Sequence, residues 1–449
     1  MENINAGDTP VAEHPVTRRQ FLLGVGAVAV AGAASGGLPG KTLLGSGQRS
    51  QRSAAKKGGK ISVLTLGGGI FGLPYLHLTP QFEKDTGITV NLVQEGALQS
   101  NAESAAIAAS HNSAYDVLQI DLSILAGFAA GHLFKPIEDY IPSSFMKSYV
   151  ADVYPVWMDV MTYKGTVWGL PTEANSEQGQ VNSKYLKELG LKVPQTWDEL
   201  LSGAQKVVKA KKGIYGFDGN MQSTTYAVAT WLPIFWGNGG VLWDEAYEPQ
   251  FTSKVALDSL ELLLELAATM PPGGASYIEA QETKAMAGGL CTYNPDGWIP
   301  DPFTTSTEPV KSELAGLPMP SGTKRPAPVL GGLGLCISNY SKNPELAAEY
   351  IKYFNSESVQ VEIAKAGGQP VRNSAWTKVL HLQPWFPTVF HNLKYAVERP
   401  KISQWADIQS TVGVTFSQAF VGQLSAKKAL EQAQNETVSI LRKAGLLKK

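Results

Sequence analysis

Histidine, cysteine and the carboxylates are the side chains that could do chemistry here, and their spacing argues against most of it. His14, His77, His111, His132, His381 and His391 are scattered, with no pair at a helical or strand spacing that would build a metal site. No Gly-x-Ser-x-Gly elbow is present and neither Cys291 nor Cys336 stands beside a His, so no nucleophile is indicated. Two Cys make neither a disulfide framework nor a zinc motif, and both read as small buried apolar residues. Glu138 with Asp139, and Glu173 with Glu177, are the kind of paired carboxylates that hydrolyse glycosides, although caps and solvated faces are the commoner reason for such pairs. Gly40-Lys41-Thr42 resembles the end of a phosphate-binding loop, but that loop needs a Gly where Ser35 stands and a strand before it. No cofactor is expected.

What remains is binding chemistry. Ten Trp and sixteen Tyr supply ring faces for stacking. Trp298 closes the turn Asn294-Pro295-Asp296-Gly297-Trp298 after a candidate strand, where an indole is presented flat to a ligand with Asp296 beside it. At 449 residues the chain is long enough for two domains, each with its own core. A net charge of -1 lacks the basic excess that nucleic-acid binding requires.

Arg18-Arg19 abuts a moderately apolar run ending near Ala34, too short and too Gly-rich to span a membrane. It reads as a twin-arginine export signal over residues 1–34, with small residues for a signal peptidase and no lipoprotein Cys after it. Residues 35–59, rich in Gly, Ser and basic residues, read as a disordered linker.

The elements that would position a site begin at Ile61. A strand over Ile61–Leu66 runs into Gly67-Gly68-Gly69, a helix starts near Thr79, and strands follow at Ile88–Val93 and Tyr115–Ile120. Strand-helix alternation of this kind makes a parallel sheet whose ligands collect at the strands' carboxyl ends, where Gly68, Gly69, Asp121 and Ser123 stand. Further on, Lys164-Gly165 reads as a hairpin turn, Thr196 with Glu199 as a capping box, and Ala285–Tyr293 as a strand. The stretch Val329–Asn355 carries the strongest pattern. A charge-free strand through Leu333, Leu335 and Ile337 is followed by Asn343-Pro344-Glu345, which starts a helix with Tyr350, Ile351 and Phe354 inward. No sheet follows it, so this unit must join one built earlier.

Several segments, in order, resemble the solute-binding proteins of bacterial ABC importers, the family that includes maltose- and other sugar-binding receptors. They are Phe82-Glu83-Lys84 with Thr86–Val90, Tyr115-Asp116-Val117 with Asp121 and then Leu133–Tyr140, Lys164–Pro171, Pro194–Leu200, Leu317-Pro318, and Gly331 through Phe354. The resemblance implies an α/β, two-lobed periplasmic-binding-protein fold (type II), each lobe a mainly parallel sheet with flanking helices. It implies a first lobe of residues 60–170 and 315–368, a second of 174–313 and 373–449, and hinge crossings at 170–175, 313–317 and 367–373. It further implies a monomer, not an enzyme, that captures a carbohydrate-like solute in the periplasm and delivers it to an ABC permease. The twin-arginine translocase and signal peptidase would act only during export. Asp121 and Glu173 match the family's sugar-hydroxyl acids, Trp298 and Trp405 its aromatic positions, and Arg372 follows the third crossing as a donor, or else as half of a surface salt bridge. Gly332 and Leu333 complete the expected site. Leu333 stands where many relatives carry Trp, and Gly68 and Gly69 where they carry polar or aromatic residues, which argues against a long oligosaccharide and leaves room for a monosaccharide, polyol or other polar solute.

Overall fold

The computed structural model describes residues 58–221, 225–298 and 300–447. The expected export signal and nearly all of the linker lie outside the described residues. Strands β1 (Lys60–Leu66), β2 (Thr89–Glu95) and β3 (Val117–Asp121) are parallel, linked by the helices Gly69–Thr86 and Ala97–Ser110. The first helix starts well before the Thr79 read from the sequence and contains both Pro74 and Pro80. Each Pro removes a helical hydrogen bond, yet the helix is held by an aromatic cluster. Tyr75 stacks on Phe354 at 4.8 Å between centroids, and Phe82 meets Tyr350 edge-on at 5.1 Å. Tertiary packing here overrides local propensity.

The hairpin at Lys164-Gly165 forms as expected, between β4 (Thr162–Tyr163) and β5 (Thr166–Val167). Both turn residues have positive φ, 51° and 78°, as a tight hairpin of right-handed strands requires. Next, β6 (Gly169–Ser176) passes almost directly into β7 (Gly179–Asn182), the first crossing between lobes. The second sheet adds β8 (Tyr215–Phe217), β9 (Cys291–Asn294) and β10 (Leu314–Leu317) in the order β10-β7-β9-β8. Of the run Ala285–Tyr293, the first part closes the helix Glu279–Ala287 and only its end is strand. The second core centres on Trp231, stacked on Phe235 at 4.3 Å and edge-on to Phe416 at 5.2 Å.

Strand β11 (Leu330–Ile337) then returns and inserts between β3 and β6, giving the order β2-β1-β3-β11-β6. The late strand-helix unit thus finds its sheet in the first lobe. All eight β11 residues are buried, because this central strand is covered on both faces. The helix Pro344–Phe354 follows, with Tyr350, Ile351 and Phe354 inward. Asn343 precedes it without capping it, and its side-chain amide donates instead to Asp116 Oδ1 at 3.4 Å.

The two-lobed α/β architecture agrees with the expectation in all but strand direction: the sheets are mixed. β11 is antiparallel to both neighbours, and in the second sheet only β8 and β9 run parallel. Strands re-entering from the opposite lobe come in reversed. A second difference concerns residues 367–373, which do not leave the first lobe. Ala174 N donates to Gln369 O at 2.9 Å, Asn373 N donates to Asp152 O at 2.7 Å, and Trp376 of the helix Asn373–Val379 lies in the first core. The chain meets the hinge again at Asn392, whose Nδ2 donates to Glu177 O at 2.9 Å, and at Val397, which bridges Val329. Cys291 and Cys336 are both free and buried. Among the described residues no helix is long and apolar enough to cross a membrane.

Candidate functional site

Parallel pairing puts the carboxyl ends of β1 and β3 on one sheet edge, and those of β8 and β9 on one edge of the other. Gly68, Gly69 and Asp121 stand at the first edge, and Asp218, Asp296 and Trp298 follow the strands of the second. Gly68 and Gly69 have φ of 73° and 48° and lie exposed, with open space where a side chain would be. Asp121 keeps 45% of its side chain exposed and caps the short helix after it, Oδ1 accepting from Ser123 N at 2.7 Å.

Trp298 is fixed by its backbone. Its carbonyl accepts from Asn175 Nδ2 at 3.1 Å and Gln178 Nε2 at 3.0 Å, both from the crossing between the lobes. Its half-buried indole packs so closely on β11 that a Cβ on Gly331 would stand 2.7 Å from the ring, so only Gly fits there. The Arg399 guanidinium lies 5.6 Å from the centre of the same indole, and its Nη2 is 3.9 Å from Asp121 Oδ1 and donates to Leu330 O at 3.4 Å. Across the gap, the Tyr226 hydroxyl donates to Glu279 Oε2 at 3.4 Å. Burial, then the neighbouring Glu279 and Asp121, push the Tyr226 phenol above its usual range, so it stays a neutral donor. Asp121, Arg399 and Trp298 therefore meet at one place, and Tyr226 is near enough to feel the charges of Asp121 and Arg399. Carboxylate and guanidinium can exchange hydrogen bonds with hydroxyls while the indole covers an apolar face.

The other expected residues divide. Leu333 pairs with Asp121 on one side and Glu173 on the other, forming the floor, at 3% exposure. Gly332 is buried beside it with φ 114°, and a Cβ there would stand 2.6 Å from Glu173 O. The Glu173 side chain lies beneath this floor, not in the cleft: it is 1% exposed and accepts from Gln119 Nε2 at 3.3 Å. Burial pushes its carboxyl well above the usual range, against the opposing pull of Tyr75 and Gln119. Glu177 is equally buried in the hinge, where Oε2 accepts from Val329 N at 2.7 Å, so the two do not form a hydrolytic pair open to a substrate. Asp296 is also buried, its Oδ2 accepting from Thr230 Oγ1 and Asn220 N. Burial raises Asp296 to about 6, and burial likewise raises its neighbours Asp218 and Glu282. Among the described residues no group of three His, Cys, Asp or Glu side chains could hold a metal ion.

Two further expectations are corrected, besides Glu173. Arg372 is not in the cleft: its Nε donates to Asn355 O at 2.7 Å, its Nη1 pairs with Asp152 Oδ2 at 3.0 Å, and it lies 5.0 Å from the centre of the Tyr149 ring, at 5% exposure. It holds the first lobe together. Trp405 is a core residue of the second lobe, 2% exposed and edge-on to Trp243 at 6.3 Å. Arg399 and Tyr226 are the site residues the sequence reading missed. Arg399 does carry one signal, a charged cluster Glu398-Arg399-Pro400-Lys401 in a stretch that is neither helix nor surface turn.

The comparisons with known proteins agree with this geometry. Residues 75–361 match the family described as bacterial extracellular solute-binding protein. A probable amino-acid ABC transporter periplasmic-binding protein of Sinorhizobium fredii is 25% identical over 289 residues, 62% of this chain and 65% of that protein, so the match spans just under two thirds of the relative. The mannitol-binding protein of Pseudomonas aeruginosa is 22% identical over 368 residues, 75% of this chain and 83% of its own length. In fold the chain is similar to maltose-bound MalE3 of T. maritima, with a TM-score of 0.75, 22% identity, and coverage of 85% of this chain and 100% of that one. It is also similar to a solute-binding protein of Agrobacterium radiobacter in complex with ribitol, with a TM-score of 0.74, 22% identity, and coverage of 86% and 100%. Two lobes hinged around a polar, aromatic cleft, and a family match over more than half of its length, identify the chain as a member of the bacterial extracellular solute-binding protein family.

Proposed function

We propose that this protein is an exported receptor that captures a carbohydrate-like solute, a monosaccharide, short oligosaccharide or polyol, between its lobes and delivers it to the transmembrane subunits of an ABC importer. The observation that carries the reading is the meeting of Asp121, Arg399 and Trp298, a carboxylate, a guanidinium and an indole face from different parts of the chain. Relatives named for mannitol, and structures holding maltose or ribitol, support it. Closure follows from contacts made to both lobes at once. The protein works as a monomer without catalysis, in the periplasm, after export by the twin-arginine route that Arg18-Arg19 and the adjoining apolar run support.

Thermal-shift screening against sugars and polyols, followed by calorimetry, tests the reading. A true ligand at about a hundred times its Kd stabilises the folded protein by ~2.7 kcal/mol. Trp298→Ala should weaken that ligand by about tenfold or more, since it removes a stacking face, and the drop in the unliganded melting point from lost packing on Gly331 is measured separately without ligand. A second reading has one specific support: Arg399 opposite Asp121 and Glu279 could hold a zwitterion, and the Sinorhizobium relative is named for amino acids. A shift with amino acids and none with any sugar or polyol would overturn the carbohydrate reading in its favour.

A further inference from the structure

The loop Gly67–Gly69 has no side chains with which to hold itself in place. A Cβ on Gly68 or Gly69 would touch nothing, yet the chain then folds back so tightly that a Cβ on Gly72 would stand 2.8 Å from Leu66 O and from the carbonyl carbon of Gly67. The loop's position at the cleft edge is therefore set by what grips its two ends, Leu66 before it and the helix Gly69–Thr86 after it. The pairing of β1 with β3 runs through Val63↔Val117 and Leu64↔Leu118. One residue further along β3 the Gln119 side chain continues it, its Oε1 accepting from Leu66 N at 2.7 Å. On the outer side Gln94 Nε2 donates to Leu66 O at 3.3 Å and to Gly72 O at 2.9 Å.

On the inner side both ends lead to one carboxyl. Gln119 Nε2 donates to Glu173 Oε1 at 3.3 Å. The Tyr75 hydroxyl, on the helix after the loop, lies close enough to the same carboxyl that each changes the other's hold on its proton. Neither this hydroxyl nor Glu173 Oε2 has another hydrogen-bond partner among the described residues, and both are enclosed by protein. A buried donor and acceptor side by side pair with each other, because leaving both unpaired is costly. Glu173 itself stands on β6, the strand that leaves the first lobe for the second, beside a bulge: Leu333 pairs with Glu173 and Gly334 with Pro171, which leaves Thr172 as an extra residue. Thr172 is clamped in turn, its Oγ1 accepting from Asn355 Nδ2 at 2.9 Å and its O from Gln360 Nε2 at 2.9 Å. The carboxyl therefore has a fixed base on the crossing strand.

We propose that Glu173 is a positioning residue for solute binding: through Gln119 and Tyr75 it fixes both ends of the Gly67–Gly69 loop, and so ties the first-lobe edge of the cleft to the strand that crosses the hinge. This rests on the reading of the cleft as the solute site and deepens it, by giving a role to a carboxyl that is 1% exposed and out of a solute's reach. It does not depend on which solute binds. Burial drives the carboxyl towards its neutral form, so a glutamine of the same shape keeps the pattern, its carbonyl accepting from Gln119 and its amide donating to the Tyr75 hydroxyl. Alanine does neither. An acid that served by touching the solute would behave differently, since its loss would leave the empty loop as it was.

The test is amide hydrogen exchange on the unliganded protein, read at Leu66 and Gly72, whose N–H groups donate to Gln119 Oε1 and Gly68 O. Glu173→Ala should speed exchange at both by about tenfold relative to the helix Ala97–Ser110, the effect of losing on the order of one hydrogen bond at each end of the loop. Glu173→Gln should stay within about threefold of the wild type at the same amides. Tyr75→Phe keeps the ring stacked on Phe354 and should loosen Gly72 but not Leu66, while Gln119→Met should loosen Leu66. These two variants carry the test if Glu173→Ala does not fold, and unchanged rates in both overturn the inference. Unchanged rates in Glu173→Ala, an equal rise over the whole first lobe, or no rescue by glutamine overturns it as well. Calorimetry of the wild type with mannitol, ribitol and maltose runs alongside: binding by none of them counts against the carbohydrate reading, whereas the exchange result, obtained without solute, decides the positioning role by itself.

Discussion

Replacing Arg372 separates a role in the cleft from a role in the scaffold. Arg372→Ala removes a charge-assisted hydrogen bond to Asn355 O, worth roughly 1.5–3 kcal/mol. It also removes the ion pair with Asp152, whose side chain is 21% exposed against 7% for Arg372. Loss of one partner of a fully buried pair costs about 3–5 kcal/mol, but here the cost is far smaller. Asp152 is part-solvated and keeps hydrogen bonds from Ser374 N at 2.9 Å and Ser374 Oγ at 2.6 Å. About 1 kcal/mol is a fair share for the pair after solvent screening. The total is about 3 kcal/mol, and at about 2–4 °C per kcal/mol for a unit of 150–250 residues the melting point should fall by roughly 9 °C. Differential scanning calorimetry on the unliganded protein measures it. Arg372→Lys should recover part of the loss, since an ammonium can pair with Asp152 but cannot also serve Asn355 O with a fixed fork. The same variants, titrated with a solute that binds the wild type, should retain its affinity. An unchanged melting point together with weakened binding would refute the scaffold role and return Arg372 to the cleft.

Gly332→Ala should lower stability by about 3 kcal/mol or more, read as a reduced urea midpoint, because it forces a non-Gly residue to positive φ and drives Cβ onto a backbone carbonyl and the Trp157 ring; an unchanged midpoint would mean that β11 shifts to make room. The acidic trio Asp218, Glu282 and Asp296 predicts a pH dependence: their folded-state affinities for protons are raised, chiefly by burial, so the stability they contribute is full below about pH 4, where the unfolded carboxyls also hold protons, and is lost as pH rises through about 6 for Asp296. Asp218→Asn should therefore raise the melting point, and by more near pH 7.5 than near pH 4.5, whereas equal shifts at the two pH values would show that Asp218 is not protonated in the fold.

The parts of this protein most legible in its sequence were those where one local pattern has one physical solution. The β11 strand and the helix after it, the Lys164-Gly165 hairpin and the Thr196 cap, whose Oγ1 accepts from Glu199 N at 3.2 Å, all form as their residues dictate. Even there the second half of the capping box differs, since Glu199 Oε2 accepts from Gln195 N and not from Thr196. The misreadings occur where distant residues decide. Two prolines argue against a helix at Gly69, and only the rings of Tyr350 and Phe354, far along the chain, outweigh them. At the candidate site, the positions of Asp121 and Trp298 were readable because strand ends and Gly turns mark them. Nothing local distinguishes Arg372, tied to Asp152, from Arg399, stacked by Trp298, because an arginine's role is set by what it meets across the fold.

The pairing of β7 with β10 has a consequence for how the chain can assemble. Strand β6 ends at Ser176 and its neighbour β11 begins at Leu330, so completing the first sheet requires closing a loop of roughly 150 residues. β7 starts just after β6 and β10 ends shortly before β11, and these two lie side by side from Leu314↔Asn182 to Leu317↔Gly179. Once the second lobe has formed, the ends of the long insertion are already adjacent, and the remaining closure is that of a short linker. The logarithmic cost of loop length makes this worth ~2 kcal/mol in closure entropy. The second lobe is thus a template for the first, and a mutation weakening β7 against β10 would delay the assembly of a sheet to which neither strand belongs.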